Sequence, residues 1–331
     1  MLDAEVCKGI NTPGEMRELC ISNQSEIVQH MLEKYRNEIL EGKKPSQNPT
    51  IYIIGGQNAS GKSMLISQLG KKNSNTVSII IDDMKAHHPF REYIDNNFPN
   101  ESEELLHLSC FEVFDSLLTS LLDDGYDITI ERTLGSELKT RRFVVDPANH
   151  GYNIEVHVTA THELNSLLSA VERFVYECKL KDDFDAKKSV LKIEPRPIAL
   201  QHHDDTYKNI CNVIKTVENG GFRDEEGNSI YPIVFVWDRT PKSPTNMYAT
   251  GDKSYPSAEQ AMFAGRNRDY NRCESNDEYG IKLRREHILE ELRGARPSST
   301  LAKYTEYCNG FMEELDKREK KYKGKTGELN R

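Results

Sequence analysis

The run IYIIGGQNASGKSMLISQL, residues 51–69, constrains this chain more than any other stretch. Four apolar residues break into glycine, and apolar residues return at Met64, Leu65 and Leu69 with the spacing of a helix face. Within the break, Gly56, Gly61, Lys62 and Ser63 satisfy the pattern G-x-x-x-x-G-K-[ST]. Strand, glycine-rich loop and helix in that order make a cradle in which backbone N–H groups turn onto phosphate oxygens at the positive end of the helix. The expected nucleotide contacts are therefore Gly56, Gln57, Asn58, Ala59, Ser60, Gly61, Lys62 and Ser63. Lys62 is read as reaching the β- and γ-phosphates and the Ser63 hydroxyl as a ligand of Mg²⁺.

The loop opens a longer alternation. Short β-branched runs recur at IYII (51), VSIII (77), DITI (127), IEVHVTA (154) and IVFVW (233), with helical patterns between them such as LLHLSCFEVFDSLLTSLLDD and ELNSLLSAVERFVYECKL. Runs apolar on both faces that alternate with helices predict an α/β fold of the P-loop NTPase type: a mostly parallel sheet with helices on both faces. Ahead of it, residues 12–42 read as helical, with Ile27, Val28, Met31, Leu32, Tyr35 and Ile39 on one face and Ser25 as a cap. Gly42, Pro45 and Pro49 mark a linker. Beyond Arg239 a Pro/Ser/Thr-rich stretch leads into a polar helical tail. The expected organisation is 1–47 as a helical N-terminal segment, 48–240 as the nucleotide-binding domain and 241–331 as a helical C-terminal extension.

A net charge of −9 argues against a protein that holds nucleic acid or an anionic membrane by bulk electrostatics. The opening residues lack a basic region followed by an apolar one, and no apolar run is read as reaching the roughly 20 residues of a membrane span. Seven cysteines without a CxxC pair fit a reducing compartment, as core fillers and stray surface thiols. The expected location is cytoplasmic.

Two further runs end in charge where a parallel sheet binds ligands. Asp82 and Asp83 follow SIII, and Glu131, Arg132 and Thr133 close ITI. A carboxylate at such an edge serves as base for an incoming hydroxyl, as metal ligand or as helix cap, and the residues alone leave all three open. His87 and His88, adjacent and before Pro89, are poorly spaced for a metal and are read as a turn shaping a substrate pocket. Arg173 lies in a largely apolar helix and Arg196 follows a charged, lid-like stretch; guanidinium groups of this kind assist phosphoryl transfer.

In order and spacing, GGQNASGKS, IIIDDMKAHHP, ITIERTLGS, AVERF and RPIALQHHD resemble the zeta toxin family of P-loop kinases, over about residues 50–240. The resemblance implies an ATP-dependent kinase that phosphorylates the 3′-hydroxyl of the sugar in UDP-N-acetylglucosamine and so acts as a toxin. It implies that Lys62 and Ser63 hold the phosphates and Mg²⁺, and that Asp82 is the general base on the acceptor. His88, Glu131 and Thr133 fall at substrate-pocket positions, and Arg173 and Arg196 clamp the transferring group. Ile80 stands where the family often has an acid and Asp83 follows instead, so the base falls on Asp82 or Asp83. The implied partner is a helical antitoxin in trans, with residues 1–47 as a possible inhibitor in cis. Two alternatives keep the loop: the same kinase chemistry on a polynucleotide, nucleotide or antibiotic, and a nucleotide-gated binding effector that transfers nothing.

Overall fold

The computed structural model describes residues 4–98, 101–185, 195–196, 199–240 and 243–329. The lid-like stretch 186–194 and the residues 241–242 that open the C-terminal extension lie outside them. Eight strands are present among the described residues: β1 (Thr50–Gly55), β2 (Val77–Ile79), β3 (Ile128–Arg132), β4 (Asn153–Thr159), β5 (Phe222–Arg223), β6 (Ser229–Ile230), β7 (Ile233–Asp238) and β8 (Thr245–Ala249). The fold is α/β, a mostly parallel sheet flanked by helices. The chain forms two compact, interleaved units, one of residues 1–53, 69–131 and 146–154, the other of residues 54–68, 132–145 and 155–331.

In the first unit β2 and β3 run parallel, with Val77 opposite Ile128 and Ile79 opposite Ile130. Asp127, just ahead of β3, accepts the backbone N–H of Thr50 at 2.8 Å and so ties down the start of β1. The N-terminal segment is two helices, Pro13–Ser22 and Gln24–Leu40, where the sequence reads as one. Thr12 and Glu15 close a reciprocal capping box with Pro13 in the first turn, which fixes the first helix. Ser25 is not a cap, because the second helix already begins at Gln24 after Asn23.

That second helix buries Ile27, Met31 and Tyr35. Its packing gives the helix a structural task within the first unit. Ser102–Asp124 has the length and mean hydropathy, 1.4, of a spanning helix, contrary to the sequence reading. It folds instead as two helices, and Val113, Phe114, Leu117, Leu118 and Leu121 of the longer one are buried, as in a soluble core helix. Gly125 ends it in the left-handed conformation, φ +74°.

In the second unit β4 and β7 run parallel, with Glu155 opposite Ile233 and Thr159 opposite Trp237. Strand β8 pairs antiparallel with β7 across a bulge at Val236/Trp237. The Pro/Ser/Thr-rich stretch after Arg239 thus contains a strand within the extension expected to be helical. The helix Glu163–Asp185 is the centre of a core in which Leu167, Val171 and Phe174 join Ile288, Leu301 and Leu315 from the C-terminal helices. All seven cysteines are buried, so none is the surface thiol expected of some of them.

Candidate active site

The loop leaves β1 at Gly55 and its shape is dictated by two glycines. A Cβ on Gly56 would fall 2.3 Å from Ser60 Oγ and 2.4 Å from Thr159 Oγ1, which no side chain tolerates. Gly61 sits at φ +97°, with the stem of Arg239 passing 3.5 Å from where its Cβ would be. Between them Ala59 takes φ +57°, an uncommon conformation for a residue with a side chain, and Arg239 Nη1 donates to its carbonyl at 3.0 Å.

Lys62 folds back over this turn. Its buried ammonium donates to the carbonyls of Gly56 and Gln57, at 3.0 Å each. Ser63 is exposed at the start of the helix Lys62–Lys72. Two of the expected nucleotide contacts turn their side chains the other way. Gln57 Nε2 donates to Thr161 O at 2.8 Å and Ser166 Oγ at 3.2 Å, and Ser60 Oγ accepts from Thr159 Oγ1 at 2.8 Å. Both are fully buried and anchor the loop to the end of β4 and the residues that follow it.

Arg173 and Arg196 are brought together by a residue that the sequence reading passed over. The buried carboxylate of Glu177 receives Arg196 Nε at 2.9 Å, Arg196 N at 2.8 Å and Arg173 Nε at 3.7 Å. The signal was available in part: Glu177 stands four residues after Arg173, one helical turn on. Arg239, which grips the loop, has no such signal, since an arginine after an apolar strand resembles any strand end. Arg132 lies over the Phe143 ring at 4.4 Å, and Thr133 beside it is partly exposed.

In the first unit β2 stops at Ile79, and Asp82 and Asp83 sit in the helical turn Ile81–Met84 rather than on the strand end itself. The Tyr35 hydroxyl explains the early stop: it accepts from Ile80 N at 3.0 Å and donates to Ile80 O at 3.3 Å, taking both groups a longer ladder would use. Asp82 is half exposed and holds the buried ammonium of Lys85 at 2.8 Å, and Lys85 also reaches Glu103. Burial works against the charge of Lys85, yet the hydrogen bonds it donates to Asp82 and Glu103 raise its pKa overall.

Burial, with Asp82 and Glu38 nearby, raises the pKa of Asp83. His88 is buried, accepts from Phe90 N at 3.2 Å and is held down to about 4 by burial and by His30. Burial thus favours its neutral form within the turn. Glu131 is partly buried at the end of β3.

A curated family model described as Zeta toxin matches residues 36–234. The chain is 26% identical over 239 residues to Toxin zeta of Streptococcus pyogenes, spanning 67% of this chain and 78% of that protein. It is 27% identical over 147 residues to Toxin PezT of Streptococcus pneumoniae serotype 4, spanning 44% and 58%. A solved chain from the PezAT chromosomal toxin–antitoxin system of Streptococcus pneumoniae superposes with a TM-score of 0.58 at 18% identity, covering 81% of this chain and 96% of that one, which shows a shared fold. With a model match that covers more than half its length, this chain belongs to the zeta toxin family.

Proposed function

We propose that the protein is an ATP-dependent kinase that phosphorylates a sugar hydroxyl of a nucleotide sugar, the 3′-hydroxyl of UDP-N-acetylglucosamine, and that it acts as a toxin in the cytoplasm. Family membership supports a phosphotransferase. The observation that carries the reading is the loop: one glycine, Gly56, where no side chain fits, a second, Gly61, in the left-handed region, and a buried lysine satisfied by loop carbonyls that phosphate oxygens would replace.

Each residue then has a step. Backbone N–H groups of the loop bind the β-phosphate, and Lys62 turns from the carbonyls of Gly56 and Gln57 to the β- and γ-oxygens. Ser63 offers the hydroxyl that would hold Mg²⁺. Magnesium keeps several waters and leans on phosphate oxygens, so it needs no carboxylate cluster, and no group of three or more His, Cys, Asp or Glu suited to a metal occurs among the described residues. A Mg²⁺ ion held there would supply neutralisation of charge on the phosphates.

Arg173 and Arg196, paired on Glu177, supply the cations that stabilise the transferring group. Asp82 or Asp83 takes the proton of the acceptor hydroxyl. Asp83, whose proton affinity is raised by burial, is the stronger base of the two, while Asp82 is engaged in the ion pair with Lys85. Glu131 and Thr133 orient the acceptor.

The partner that fits is a helical antitoxin in trans, as suggested by the toxin–antitoxin system to which the similar fold belongs. Transfer from γ-labelled ATP to UDP-N-acetylglucosamine tests the kinase reading. Lys62→Ala should lose both ATP binding and transfer, and Asp82→Asn or Asp83→Asn should lose transfer with binding intact. Full activity in Lys62→Ala would remove it.

A further inference from the structure

Beside the loop, within the second unit, lies a cleft of about 540 Å³ whose far wall comes from the C-terminal helices Ala258–Cys273 and Ile281–Gly294 and the turn between them. No task for this region is legible in its residues alone. We infer that the cleft receives the base and ribose of the donor nucleoside triphosphate, so that the C-terminal region is part of the donor site. The inference rests on the loop being a triphosphate site.

Three observations lead there. First, the cleft and the loop share a wall. Met64, next to Ser63, lines the cleft, and so does Arg239, whose stem lies against Gly61 and whose Nη1 holds Ala59 O. A ligand with its phosphates in the loop has the remainder of its length beside this opening.

Second, the charges lining the cleft are largely matched. Arg272 pairs with Asp238 and Asp269, and Arg284 pairs with Glu172. Glu278 adds a further acid to the lining. A second polyanion would have to break these pairs, whereas an uncharged group with hydrogen-bonding edges leaves them in place.

Third, Met64, Tyr279 and Leu283 all line the cleft and are about two-fifths exposed, at 39%, 38% and 42%. An aromatic ring with two aliphatic neighbours beside polar groups is a stacking surface for a flat heterocycle. The volume falls within the range of small-molecule sites.

The test compares ATP with inorganic tripolyphosphate, which fills the loop and has no base. Calorimetric titration of the full chain in Mg²⁺ should give tighter binding for ATP. Tyr279→Ala and Leu283→Glu, both at exposed positions that leave the core intact, should weaken ATP by about tenfold, one stacking contact, and leave tripolyphosphate unchanged. Equal affinity of the wild-type chain for the two ligands would overturn the inference. So would a loss in the variants that is the same for both, or absent for both. A chain that passes this test but phosphorylates no acceptor would refute the kinase reading and leave the base cleft standing.

Discussion

Arg196 is fastened to Glu177 from two sides: its backbone N–H donates to one carboxylate oxygen at 2.8 Å and its Nε to the other at 2.9 Å. Arg173 approaches the same oxygen as Nε, at 3.7 Å, so one buried acid sets the position of both arginines. Both guanidinium groups are partly exposed and rehydrate if released, so Glu177→Gln should lower stability by only about 1–2 kcal/mol in urea unfolding. Its effect on catalysis should be larger. We expect kcat to fall tenfold or more with little change in the KM for ATP, and a kcat within twofold of the wild type would show that the arginines need no such support.

Asp83 gives the pH dependence a direction. Burial first, then the negative charges of Asp82 and Glu38, lift its pKa above the usual carboxylate range. A base works deprotonated, so activity rises as pH rises through that raised pKa and is lost below it. Glu38→Gln removes one of the charges and should move the acid limb of the kcat/KM profile to lower pH. An unmoved limb would assign the base elsewhere, with Asp82 next.

Acid should also unfold the protein, through histidines it buries neutral. His88 in the first unit and His162 in the second both titrate near pH 4 when folded, because burial disfavours their charge. An unfolded histidine titrates near 6.5, so the unfolded chain binds the protons first and stability falls as pH drops from about 6.5 to about 4. Melting temperature measured across that window should fall steadily in the wild type. It should fall less in His88→Asn, whose side-chain oxygen can still accept from Phe90 N.

Gly56→Ala tests the loop. The new methyl would strike Ser60 Oγ and Thr159 Oγ1, a pair that now hydrogen-bond at 2.8 Å and tie the loop to β4. We expect a loss of about 1–3 kcal/mol in stability and of measurable ATP binding. Wild-type ATP affinity in this variant would mean that the turn is not shaped for phosphate.

Deleting residues 1–47 should yield an insoluble or partly unfolded chain rather than a more active one. The deletion strips Ile27, Met31 and Tyr35 from the core of the first unit, and with Tyr35 go both hydrogen bonds that hold Ile80. A soluble, more active truncated protein would instead support the inhibitory reading of this segment.

The alternation of apolar strands and helices, and the loop between Gly56 and Ser63, were legible because each is written in consecutive residues. What escaped depends on pairing at a distance. Strand β8 is the polar stretch TNMYA, and only its ladder with β7 makes it a strand. Asp82 reads as the end of a strand because three isoleucines precede it, and Tyr35, more than forty residues earlier, is what stops β2 at Ile79. Arg239 looked like any charged residue after a strand until the fold laid it across Gly61.

The most direct test of the central claim is an acceptor panel. Purified protein is incubated with γ-labelled ATP, Mg²⁺ and, separately, UDP-N-acetylglucosamine, other nucleotide sugars, nucleosides, an aminoglycoside and oligonucleotides. Label should pass to UDP-N-acetylglucosamine, at the sugar 3′-hydroxyl, and not to oligonucleotides. Label transferred to another acceptor alone would contradict the assigned substrate, and ATP bound with label transferred to nothing would contradict the kinase itself.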